Sequence, residues 1–169
     1  MDQEHFLYKF EKASVKIDRN LLDREQLKVF VGIAMNSVVL KIYKAEWSND
    51  KADPVNASSR IFFAVWVNVE TLKYNKIFYN IHALKLRKLT GYNLSGRAFA
   101  AMFRNEFIDL ANNWVNVSVA FGPLTLMEGW EYFENDNIEK IIVKLGNNFA
   151  KIAYLIDDAL EKFRSTRII

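Results

Sequence analysis

The stretch RIFFAVWVNVE, residues 60–70, constrains the fold more than any other part of the chain. Its β-branched and aromatic residues favour a strand. Alternation puts Ile61, Phe63, Val65, Val67 and Val69 on one face and Phe62, Ala64 and Trp66 on the other. Apolar residues on both faces predict a central strand covered, at least in part, on both sides.

The strand needs partners, and the flanking sequence offers them. SVVLKIYKAEW, from Ser37 to Trp47, alternates at Val38, Leu40 and Ile42 and favours a strand; a helix continuing to Trp47 is the alternative. KIFYNI (76–81) is expected to return antiparallel after a turn at ETLKYNK. Two further strands are expected at VNVSVAF (115–121) and LTLMEGWEYF (124–133), joined through Gly122-Pro123. Residues 48–59, SNDKADPVNASS, read as a loop.

Helical spacing appears elsewhere. Residues 6–17 fit either an edge strand or a short helix. Leu27, Phe30, Val31 and Ala34 predict a helix over about 21–36, with Asn20 as N-cap and Asp23 in its first turn. HALKLRKL reads as a short helix over 82–90 that stops near Gly91. Ser95 then caps a second helix carrying Phe99, Met102, Phe103, Phe107, Leu110 and Trp114 on one side. Asp136 and Glu139 resemble a capping-box start for a long C-terminal helix, with Gly146-Asn147-Asn148 as a possible kink. The sum is an α+β fold. It has an antiparallel sheet of about four to five strands, three to four helices packed on it and a long C-terminal helix, in one domain spanning 1–169.

Composition excludes several functions. The 169 residues include no Cys, which removes disulfides, thiolate nucleophiles and cysteine metal sites. The apolar run Val29–Leu40 is too short to cross a bilayer, and the N-terminus has no signal-like core. The expected location is therefore the cytoplasm, with no membrane partner. His5 and His82 do not make a conventional zinc site, and no nucleotide-binding glycine motif or nucleophile elbow is present, so no cofactor or metal is implied.

Charge order is the strongest functional signal. From Thr71 to Asn105 the charged residues are all basic: Lys73, Lys76, Lys85, Arg87, Lys88, Arg97 and Arg104. From Glu106 to Glu139 they are all acidic: Glu106, Asp109, Glu128, Glu131, Glu134, Asp136 and Glu139. Either the two segments neutralise each other across the surface, or a basic patch on the 82–112 helix pair faces an anion. Arg97 and Arg104 are seven apart on one helix, and Arg87 is expected to converge on them, with His82, Lys85 and Lys88 nearby. Neighbouring cations are expected to depress the His82 pKa. Glu128 and Trp130, alternating on one strand face, form a secondary candidate, since a carboxylate beside an indole is a common ingredient of sugar sites. The expectation is a non-enzymatic domain that binds a protein partner or self-associates through the basic helix pair. Nucleic-acid binding by the same residues is one alternative. The other is an enzyme using His82 and a carboxylate.

Overall fold

The computed structural model describes residues 1–134 and 136–165. Its order is α1 (Gln3–Ser14), α2 (Arg19–Arg24), β1 (Lys28–Ala34), β2 (Ser37–Tyr43), β3 (Arg60–Val67), α3 (Val69–Lys73), β4 (Lys76–Leu84), α4 (Gly96–Phe107), β5 (Thr125–Tyr132), α5 (Ile138–Ile152) and α6 (Tyr154–Glu161). The five strands form one antiparallel sheet in the order β1-β2-β3-β4-β5. The fold is α+β, and α5 with α6 makes the long, bent C-terminal helix.

The expected helix over 21–36 is replaced by a short helix and a strand. The Asp18 carboxylate, not Asn20, caps α2 by accepting from the Asn20 and Leu21 amides. The chain then leaves helical geometry at Gln26, with φ of 56°. Met35 and Asn36 both take positive φ, 49° and 63°, which closes a two-residue hairpin and sets β1 against β2. Backbone pairing of all seven β1 residues with β2 outweighs the helical spacing of Leu27, Phe30, Val31 and Ala34. Residues 6–17 belong largely to α1, whose N-cap Asp2 accepts from the His5 amide at 3.0 Å.

Three further expectations are corrected. Residues 82–90 are not a helix: β4 runs through His82 to Leu84, and only a 3₁₀ turn at Leu86–Lys88 follows. Residues 115–121 are not a strand: their one backbone bridge to the sheet is Ser118 to Glu128, beside side-chain bonds from Tyr79 to the Val115 carbonyl and from Asn116 to the Trp130 carbonyl. The C-terminal helix breaks at Ala153, not at Gly146. Gly146 instead admits Ile17, whose Cδ1 lies 2.7 Å from where a Cβ would stand.

The helices bury one face of the sheet. Leu40, Ile42, Phe63, Val65 and Ile81 join residues of α1, α4, α5 and α6 in one large core. At its centre Phe63 stacks on Phe149 of α5, with centroids 4.6 Å apart. Among the described residues no helix covers the other face, yet Phe62 and Ala64 are buried there and Trp66 partly so, by neighbouring strand side chains and not by a second layer. The small apolar cluster of this face, Val39, Phe62 and Ala64, is packed only by strand residues such as Trp66, Tyr43 and Leu84. The long side chains of that face shield the short ones, so Ala64 is only 3 % exposed without an element above it.

Candidate ligand-binding site on the open sheet face

Strand register fixes which side chains share this face, because directly paired residues point the same way. One row runs Phe30–Lys41–Ala64–Asn80–Glu128 across all five strands. The next runs Gly32–Val39–Trp66–Phe78–Trp130. On the other side of the first row, Phe62 faces His82, and Arg60 faces Leu84. Ala64 is the smallest side chain of the first row and sits at its middle. A concavity of about 520 Å³ opens there, lined by Lys41, Arg60, Phe62, Trp66, Asn80 and Glu128 among others. That volume suits a small ligand or one unit of a polymer.

Two cations meet over one ring. Lys41 Nζ lies 4.6 Å from the Phe62 centroid, and the Arg60 guanidinium carbon lies 5.3 Å from it. Among the described residues, neither has a carboxylate within 4.0 Å. Burial pushes the Lys41 pKa below its ordinary value, and Arg60 pushes it the same way. Burial likewise lowers the Arg60 pKa. Arg60 gives one N–H to the Ala57 carbonyl, while its buried Nε has no protein acceptor.

Acceptors stand beside these donors. Asn80 is 2 % exposed; its Nδ2 donates to Glu128 Oε1 at 3.2 Å, and its Oδ1 has no protein donor. His82 Nδ1 lies 3.3 Å from the Leu124 carbonyl and 3.4 Å from the Thr125 hydroxyl, so it donates to the carbonyl in one tautomer and accepts from the hydroxyl in the other. The imidazole pKa is lowered, first by burial and then by Lys41 and Arg60, against the raising effects of Leu124 and Glu128. His82 is therefore neutral at pH 7, for a reason other than the Lys85, Arg87 and Lys88 expected to cause it.

An aromatic strip continues from the concavity toward β5. Trp66 and Phe78 stack with centroids 5.1 Å apart. Lys76 Nζ lies 3.8 Å from the Trp130 centroid and 5.6 Å from that of Tyr132. This is a second cation resting on a ring.

The candidate residues of both sequence-derived sets, the anion-binding set and the secondary pair Glu128 and Trp130, scatter over the fold. His82, Glu128 and Trp130 come together on the open face, with no hydrogen bond between His82 and Glu128 among the described residues. Arg104 goes elsewhere. Its Nε donates to the Leu126 carbonyl at 3.0 Å, and one terminal nitrogen donates to the carbonyls of Thr125, Phe121 and Gly122 at 2.9–3.0 Å. The register shift of β5 against Ile81–His82 makes Leu126 an extra residue, and a bulge of that kind frees a carbonyl for Arg104. Lys85, Arg87, Lys88 and Arg97 are exposed, and the first three stand on or beside a 3₁₀ turn. The basic helix pair does not form, because its first helix does not exist.

No known protein family, curated protein or solved structure matches this chain.

The mutual neutralisation of the two charged segments also fails among the described residues. Glu131 pairs with Lys144, and Glu139 gathers Lys9, Lys12 and Lys16 at 3.7, 3.7 and 3.2 Å. Lys41 and Arg60 escaped the sequence reading because both lie outside the 71–105 charge run. A basic residue at position 41, amid the apolar alternation of β2, was the available signal.

Proposed function

We propose that this protein is a binding module that takes an anionic ligand with a flat apolar body on its open sheet face. One observation carries the reading: two half-buried cations share the Phe62 ring and, among the described residues, neither has a carboxylate within 4.0 Å. Holding two like charges together in a desolvated place is unfavourable, and a bound anion removes that cost. Each charge-assisted hydrogen bond so formed is worth about 1.5–3 kcal/mol. Ala64 and Val39 offer an apolar floor and Trp66 a flat wall for the rest of the ligand. The unpartnered Asn80 Oδ1 accepts a donor on it. Arg60, on a rigid strand, supplies a planar fork suited to phosphate, sulfonate or carboxylate.

The test is NMR chemical-shift mapping with 8-anilinonaphthalene-1-sulfonate, a flat aromatic anion. Amide shifts are expected around Lys41, Arg60, Phe62, Ala64 and Asn80. Lys41→Met with Arg60→Met should weaken binding at least about tenfold, the loss of one charged hydrogen bond or more. Ala64→Met, which fills the floor, should abolish it with the fold intact. Shifts located elsewhere, or unchanged by all three substitutions, refute the proposal.

A further inference from the structure

Resting on that reading, we infer that the natural ligand is single-stranded nucleic acid, laid across the sheet from Phe62 to Trp130. Two stations of the same design mark the path. At one, Lys41 and Arg60 stand on Phe62; at the other, Lys76 stands on Trp130. The second lies two strands over and four residues along, a diagonal of roughly 16 Å at ordinary strand spacing. A single small anion fills one station only. A polymer with repeated negative charges fills both, and the stacked Trp66–Phe78 pair stands beside Trp130 in the same cross-strand row. Open sheets that present aromatic rings stack about two or three bases in such a span. The faces of paired bases are hidden inside a duplex, so the geometry selects single strands.

Charge on the face agrees with this. Its strand positions carry Lys28, Lys41, Arg60 and Lys76 against one acid, Glu128, while Asp53 of the 48–59 loop approaches Tyr43 at the edge. Glu128 repels a phosphate, so the base and not the backbone goes over the middle of the path. There the Asn80 Oδ1 and the Glu128 carboxylate both accept and neither donates. The exocyclic amino group of cytosine or adenine carries two N–H donors and satisfies both; uracil and thymine offer a single N3–H flanked by two carbonyls and satisfy at most one.

The experiment is fluorescence anisotropy with labelled 12-mers of oligo(C), oligo(U) and oligo(dT), and with a duplex of equal length. Oligo(C) is expected to bind about tenfold more tightly than oligo(U) or oligo(dT), and the duplex least. With three or four phosphates neutralised, log affinity should fall against log salt with a slope of about −2 to −3. Trp130→Ala and Lys76→Met, both outside the concavity, should weaken oligo(C) at least fivefold, by roughly the worth of one stacked base. The same variants should leave the anilinonaphthalene sulfonate affinity unchanged. If the sulfonate binds in the concavity but no oligonucleotide binds, the nucleic-acid inference falls while the proposed function stands. If neither binds, both fall. Equal affinity for oligo(C) and oligo(U) overturns the role given to Asn80 and Glu128, and binding indifferent to Trp130 overturns the path.

Discussion

Arg104→Met separates a structural arginine from an anion-binding one, and the geometry sets its size. The guanidinium serves four carbonyls. Two of them, on Phe121 and Gly122, belong to exposed residues, and water replaces the arginine there at little cost. The other two, on Leu126 and Thr125, are bonded in partly buried surroundings, and Leu126 itself is 0 % exposed. Leaving a buried acceptor empty costs about 1–3 kcal/mol, so two cost about 2–6. Against this stand the rotamer freedom that the arginine regains and its own desolvation, the burial that lowers its pKa, together roughly 1–2 kcal/mol. The net expected loss is about 3 kcal/mol. Urea denaturation should show it as a midpoint lower by about 1.5 M for a slope near 2 kcal/mol/M, and calorimetry as a Tm lower by about 6–12 °C. Arg97→Met on the same helix is the control: an exposed residue, with no ion pair among the described residues, should change stability by less than about 0.5 kcal/mol. A loss below about 1 kcal/mol for Arg104→Met, or equal losses for both arginines, refutes the assignment.

Two other outcomes follow from the geometry of β4 and β5. The folded protein holds the His82 pKa below 6.5, so it disfavours the proton that the unfolded chain accepts. Stability is therefore full above pH 6.5 and declines as pH falls through that value toward the folded pKa. His82→Gln should flatten this part of a Tm-against-pH curve between pH 7.5 and 5, and an unchanged curve contradicts the burial argument. Gly129→Ala should cost about 2–3 kcal/mol in urea denaturation, because its Cβ would lie 2.2 Å from the buried Tyr79 hydroxyl oxygen and the ring has no room to retreat. A cost under 0.5 kcal/mol would mean that the strands separate more easily than the packing implies.

Local chemistry was legible where it acts within a few residues. Ser95 accepts from the Ala98 amide and starts α4, as its type and position suggested. The alternation read over 60–70 holds for β3 as far as Val67, and the strand expected at 124–133 is β5, while the equally alternating 115–121 is not a strand. Residues 28–34 failed the same reading because their spacing satisfies both a helix and a strand. The decision came from pairing with β2 through Met35 and Asn36, a contact that spacing does not encode. His82 to Leu84 read as the start of a helix for a similar reason: their strand state comes from pairing with β3.

The candidate site divides along the same line. The chain by itself determined the α+β class and the absence of thiol chemistry, and it singled out Glu128, Trp130 and His82 as candidates. Tertiary structure decided that Phe62, Ala64 and Trp66 face outward, that Arg104 is consumed by the β5 bulge, and that Lys41 and Arg60 meet over one ring. The physical reason is that apolar content tells how much surface a strand can bury but not whether a layer exists to bury it. Which cations stay unpaired depends on distances between strands, and those distances arise only when the sheet assembles.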